Sequence, residues 1–163
     1  MHIHLIEGPV GAGKSTYGQR LATERTAVRL CLDDWMGVLF RPDRPETDVL
    51  AWYQARKQRC LDQILRVAAE VLERERDVVL ELGLIQRQDR EAFYASTICL
   101  DHALTVHVLD APRETRLERV RRRNAERGAT FHAVVSDELF ALADSMWQPP
   151  APDEVEAREI VFV

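Results

Sequence analysis

The chain has little from which to build a metal or disulfide framework. Its three cysteines, Cys31, Cys60 and Cys99, are odd in number, widely spaced and form no CxxC pair, so reduced thiols in a cytoplasmic protein are the expectation. Five histidines, His2, His4, His102, His107 and His132, show no metal-ligand spacing and read as structural. No stretch approaches the ~18 apolar residues of a membrane-spanning helix, and the N-terminus has neither the basic nor the apolar region of a secretory signal. No membrane partner is expected, and the cytoplasm is the expected compartment. An excess of basic residues is missing too: Lys and Arg number 22 against 27 Asp and Glu, a formal net charge of -5. That argues against binding nucleic acid over the whole surface, because neutralising phosphates needs clustered cations. A local basic groove is compatible with the same balance.

What is present suits one globular domain spanning residues 1–163. A chain of 163 residues can bury on the order of two-thirds of its unfolded surface. Hydrophobic residues at 46% and charged residues at 30% are an ordinary globular mixture, and global disorder is excluded. Apolar runs at His2–Glu7, Ala27–Leu32, Asp77–Leu82, Thr105–Asp110 and Glu159–Val163 are rich in Val, Ile and Leu and contain no Gly or Pro. Such runs suit strands covered on both faces.

Between them lie segments of helical period: Gly13–Glu24, about Val49–Arg76, Gln88–Thr97, Pro112–Arg127 and Ser136–Met146. The second places Leu50, Tyr53, Leu61, Ile64, Leu65, Ala68 and Leu72 on one stripe, and Ser136 is a plausible N-cap for the last. Phe40–Asp48 and Pro149–Asp153 read as irregular. Alternating strands and helices predict an α/β fold with a mostly parallel, five-stranded sheet, helices on both faces and right-handed crossovers.

Gly8-Pro9-Val10-Gly11-Ala12-Gly13-Lys14-Ser15 fits GxxxxGK[ST], with Thr16 following. The motif sits in its required context, after an apolar strand and at the start of a helix. Glycines at its fixed positions allow positive φ and close approach to oxygen atoms. Successive N–H groups, backed by the helix N-terminus, make an anion nest. Lys14 would reach the β- and γ-phosphates, and the Ser15 hydroxyl would bind Mg²⁺. Thr16, one residue deeper, would lie near the α-phosphate. ATP and Mg²⁺ are therefore the expected cofactors.

With that loop, the chain resembles the P-loop kinases, especially the small AAA-like kinases related to polynucleotide 5′-hydroxyl kinases. The resemblance implies a P-loop NTPase fold with kinase-type strand order and an arginine-bearing lid at about 124–135, tipped by Ala129–Val135. Leu32-Asp33-Asp34-Trp35 is similar to their DD-aromatic motif, in which the first Asp accepts the proton of the attacking hydroxyl. A carboxylate at the carboxyl edge of a strand beside the loop strand suits that task, since phosphoryl transfer depends on positioning and charge stabilisation. Asp33 is thus the candidate general base and Asp34 a supporting or capping residue, though both could simply cap a helix.

Where the phage-type enzymes carry Arg after the aromatic residue, this chain has Met36. Trp35, Met36 and Phe40 either line a more apolar acceptor pocket or belong to the core. Glu81, ending the third strand, could hold Mg²⁺ through water, hydrogen-bond the acceptor or be a solvated edge charge. Gln86–Arg90 resembles the family's R-x-x-R stretch, making Arg87 and Arg90 substrate-contact candidates, with surface salt bridges as the alternative. Arg123-Asn124-Ala125-Glu126-Arg127-Gly128 resembles the RNxxRG stretch that opens the lid. Seven arginines crowd this helix against three glutamates, and Arg119, Arg123 and Arg127 share one side. Arg123 and Arg127 are therefore the candidate functional pair, facing the transferring phosphate or stacking on adenine. Gly128 is expected to end the helix, and Arg113, Arg116 and Arg121 to face solvent.

These features predict an ATP-dependent phosphotransferase acting on a hydroxyl acceptor. Net charge and Met36 favour a small molecule such as a sugar, nucleoside or antibiotic. The DD-aromatic and RNxxRG stretches favour a polynucleotide 5′-hydroxyl. A P-loop ATPase or nucleotide-dependent switch is the alternative from another class, but no NKxD is present.

Overall fold

The computed structural model describes residues 1–128, 131 and 134–163, with backbone alone at Thr97 and Leu100. The expected lid tip, including His132, therefore falls largely outside the described residues. Five parallel strands form one sheet in the order β2-β3-β1-β4-β5. They are β1 (His2–Glu7), β2 (Val28–Cys31), β3 (Val78–Glu81), β4 (Ala103–Val108) and β5 (Glu159–Phe162). Helix α1 (Lys14–Arg25) links β1 to β2, and α2 (Leu32–Leu39) and α3 (Val49–Glu73) link β2 to β3. Helices α4 (Arg87–Tyr94) and α5 (Thr97–Asp101) precede β4, and α6 (Arg113–Glu126), α7 (Asp137–Met146) and α8 (Pro152–Ala157) precede β5. Because every strand runs the same way, Glu7, Cys31, Glu81 and Val108 end on one edge, where ligand crevices form in such sheets.

The pleat sorts the strand residues between two cores. Ile3, Leu5, Leu30, Val78, Leu80 and Val106 join Ile64, Ala68 and Leu72 of α3 in the larger one. Ile6, Val79 and Leu109 meet Leu21 of α1 in the smaller. The apolar stripe of α3 is buried from Cys60 onward, but Leu50 is 70% exposed and Tyr53 also stays open. The reason is length: 25 residues of helix span about 37 Å, whereas strands this short cover about 13–20 Å, so the first turns overhang the sheet.

The second apolar run ends earlier than expected. Cys31 is the last strand residue and Leu32 already begins α2, so Asp33 sits in a helix's first turn rather than at a strand end. The short helices α5 and α8 also lack a sequence signature strong enough to have been expected.

Near the loop a buried charge cluster joins β1 to the C-terminal helices. The Arg90 guanidinium, fully buried, donates to both Glu154 oxygens at 2.9 Å and to the Gln148 carbonyl at 2.7 Å. This corrects the substrate-contact reading of Arg90, which instead ties α4 to α8. Glu7 Oε2 lies 3.7 Å from Arg90 Nε, and neither Glu7 oxygen has a hydrogen-bond partner among the described residues. Burial pushes the Glu7 carboxyl up to about 8, against the pull of Arg90.

The histidines near the other end of the sheet behave as structural groups. His4 Nδ1 and His107 Nε2 are 3.1 Å apart, Tyr17 OH meets His107 Nδ1 at 2.9 Å, and His2 pairs with Thr105 at 2.7 Å. All three cysteines are free, and among the described residues no helix is long and apolar enough to cross a membrane.

Candidate active site

The loop between β1 and α1 adopts the backbone its glycines permit. Gly8, Gly11 and Gly13 have φ of 142°, 79° and 102°. A Cβ at Gly8 would come within 2.3 Å of the Leu109 carbonyl oxygen, and one at Gly11 within 2.5 Å of that of Arg116. These positions need glycine for both space and conformation. Gly13 is the N-cap of α1 and supplies no side-chain cap, and the first turn holds no acidic residue. The uncapped amides and the positive end of the helix are therefore directed at whatever anion the loop takes. Pro9, Val10 and Ala12 fill the remaining loop positions, with Pro9 and Ala12 buried, and Thr16 is exposed one residue past Ser15.

Lys14 Nζ donates to the carbonyls of Gly8 at 2.8 Å and Pro9 at 2.9 Å, keeping the ammonium over the loop. Burial pulls its amine below the ordinary range, while Glu81 and Asp33 raise it and Arg123 lowers it further. Lys14 thus feels Glu81, Asp33 and Arg123, and Arg123 feels Asp33, all four on elements that meet at the carboxyl edge of the sheet. Arg123 is lowered by burial and raised by Asp33, and among the described residues its buried Nε has no hydrogen-bond partner. A guanidinium so placed has donor capacity left for an incoming anion.

Ser15 Oγ donates to Glu81 Oε1 at 2.8 Å. Glu81 is 5% exposed, so it is not a solvated edge charge. Its other oxygen accepts from Arg29 at 2.7 Å, and Arg29 also donates to Asp34 at 2.8 Å. Asp34 is thus an ion-pair partner, and no side-chain hydrogen bond caps α2. Ser15 and Glu81 offer hard oxygen donors of the kind Mg²⁺ takes together with nucleotide phosphates. Among the described residues no group of three or more His, Cys, Asp or Glu could hold a metal alone, so phosphate oxygens would have to complete the shell.

Other assignments divide. Trp35 packs half-buried against the larger core and Met36 is buried within it. Phe40 lies beneath Arg56 and Arg59, each 5.9 Å from its ring centroid. Tyr53 is a neighbour of Asp33 that its place in the apolar stripe concealed; burial first, and then Asp33, push its hydroxyl up to about 12. Arg87 is not brought into the Lys14 cluster: it is exposed, forked onto Asp153 at 3.1 and 2.6 Å and onto Glu91 at 2.6 Å.

On α6 the expectation for Arg116 is overturned. It is 7% exposed, pairs with Asp144 of α7 at 2.7 Å, and donates to the Val10 carbonyl at 3.2 Å. Arg119 donates to the Ala12 carbonyl at 3.2 Å. Together they brace the loop from behind. Arg113 and Arg121 are half-exposed and paired with Asp144 and Asp137. Arg127 itself, with φ of 47°, ends α6, while Gly128 is not left-handed. The Arg127 guanidinium lies 5.6 Å from the Phe131 ring centroid.

A family described as an AAA domain matches residues 3–145. A candidate kinase from Chloroflexus aurantiacus j-10-fl superposes with a TM-score of 0.72 at 17% identity, covering 99% of this chain and 84% of its own. Chaetomium thermophilum Kti12 in complex with ADP-AlF3 gives 0.66 at 15%, covering 99% and 88%. A gluconokinase from Sinorhizobium meliloti 1021 gives 0.60 at 16%, covering 99% and 81%. No curated relative matches the sequence. At these identities the superpositions establish the P-loop kinase fold.

Proposed function

We propose that this chain, which belongs to the AAA domain family, is an ATP-dependent phosphotransferase that delivers a γ-phosphoryl group to the hydroxyl of a small molecule. The observation that carries this reading is the uncapped start of α1 behind a glycine loop at positive φ, with Lys14 held over that loop and Ser15 bonded to Glu81. ATP–Mg²⁺, when bound, supplies the activated phosphoryl group. The loop amides from Gly8 to Thr16 would hold its phosphates, and the Lys14 ammonium, held by the Gly8 and Pro9 carbonyls, would neutralise their charge. Ser15, donating its hydroxyl hydrogen bond to Glu81, would offer its oxygen to the metal.

Asp33, exposed in the first turn of α2, accepts the proton of the acceptor hydroxyl. Arg123 stabilises the charge spreading over the transferring group, with Arg127 approaching from the exposed end of α6. Trp35, two residues after Asp33, and Tyr53, whose hydroxyl feels the Asp33 charge, are the candidate acceptor contacts. The small-molecule choice is supported by the net charge of -5 and by a buried Met36 where the phage-type enzymes carry arginine.

The test is transfer of labelled phosphate from ATP to a panel of sugars, nucleosides, antibiotics and a 5′-hydroxyl oligonucleotide. Turnover that rises only with a small alcohol supports the proposal. Labelling of the oligonucleotide alone would reassign the acceptor, and acceptor-independent phosphate release would make the protein an ATPase. Asp33→Asn should retain nucleotide affinity and lose rate; wild-type turnover by that variant removes Asp33 from the base role.

A further inference from the structure

A guanidinium within an apolar strand must be paired, because an unpaired buried charge is strongly unfavourable. Arg29 lies between Val28 and Leu30 in β2. The pleat sends Leu30 into the larger core and Arg29 to the opposite face, beneath α1. The Arg29 side chain passes under Gly18 of α1, whose ideal Cβ position lies 3.5 Å from Arg29 Nε, an ordinary contact distance. From this slot the fork reaches two carboxylates on different elements, Glu81 of β3 at 2.7 Å and Asp34 of α2 at 2.8 Å. Its side chain is 14% exposed. Glu81 spends one oxygen on Arg29 and the other on the Ser15 hydroxyl.

We propose that Arg29 is a positioning residue of the transfer site, holding Glu81 in the rotamer that orients Ser15 and anchoring the turn that carries Asp33. This rests on the phosphotransferase reading for its role in the reaction, but its geometry involves only side chains of the folded chain. Without the fork, the buried Glu81 carboxylate has lost its cation. It no longer keeps the rotamer that meets Ser15, and Ser15 and the metal lose the oriented negative charge beside them. The loop amides are untouched. Arg29 therefore governs the magnesium-dependent part of nucleotide binding and leaves the metal-free part alone.

Calorimetric titration of ADP, with and without magnesium, onto the wild type, Arg29→Gln and Arg29→Lys separates these parts. Metal-free affinity should stay the same in all three. The gain in affinity on adding magnesium should fall about 10-fold or more in Arg29→Gln, the usual range for a partner that orients a metal ligand. Arg29→Lys keeps the charge but not the fork, so its loss should be intermediate. Should Arg29→Gln fail to fold, Arg29→Lys decides. An unchanged magnesium-dependent gain, or an equal loss with and without the metal, would overturn the proposal. No acceptor enters this experiment, so a protein that binds ADP–magnesium with the expected Arg29 dependence yet phosphorylates nothing refutes the phosphotransferase reading separately.

Discussion

Replacing Glu7 by glutamine should remove a loss of stability that the wild type shows as pH rises past neutrality. Glu7 is buried at the end of β1, directly before Gly8, with its carboxyl pushed from 4.5 to about 8. Between those values the folded protein holds a proton that the unfolded chain has released. The folded state binds more protons, so unfolding becomes easier with rising pH, by up to about 1.4 kcal/mol per unit. The useful window lies between about pH 6.5 and 8, where histidines and thiols also titrate but do so alike in the wild type and Glu7→Gln, so the difference between the two isolates Glu7. Over it the wild type should lose about 2 kcal/mol, or about 4–8 °C in melting temperature for a domain of this size. Urea unfolding at several pH values, for the wild type and Glu7→Gln, measures this directly. A flat wild-type profile, or the same slope in both proteins, would refute the reasoning.

Acid stability should follow the opposite sign. Burial, then the neighbouring His2 and His107, lower His4 from 6.5 to about 4. The unfolded state binds the extra proton in that window, so stability falls as pH drops from about 6.5 to 4, and His4→Gln should flatten thermal melts over that range. Gly11→Ala forces a Cβ to 2.5 Å from the Arg116 carbonyl oxygen at positive φ, so a loss of about 1–3 kcal/mol and weaker ATP binding should appear in melts and calorimetry. Arg116→Met removes the bonds to Asp144 and the Val10 carbonyl; Asp144 keeps Arg113, so a loss of about 1–3 kcal/mol should appear in urea unfolding. Lys14→Ala should keep the fold by circular dichroism while labelled transfer falls by at least about 100-fold.

The strands and the phosphate loop were legible because their signals are local. An apolar run such as His2–Glu7 followed by GxxxxGK[ST] reports strand, turn and helix within a few residues. Helix α2 was hidden because Leu32–Leu39 follows β2 without a turn residue, so the apolar run appears to continue. Arg29 and Arg116 were missed for another reason: their partners lie 52 and 106 positions away, and no periodicity records such a pairing. One clue was available, since Arg29 and Glu81 are opposite charges set inside two strand-like runs, and buried charges of that kind have to find each other. Leu50 and Tyr53 fit the α3 stripe perfectly by spacing, but periodicity says which residues share a face and not where the sheet stops.

The direct passage from Cys31 into Leu32 gives Asp33 an address fixed by the sheet itself, with no intervening loop whose length or flexibility could be varied. Under the proposed phosphotransferase reading, change in the acceptor would then have to come from the overhanging first turns of α3 and the stretch before it, where Leu50 and Tyr53 are exposed. Residues 40–59 are accordingly the place to diversify in a library meant to test that reading, while the position of Asp33 stays fixed.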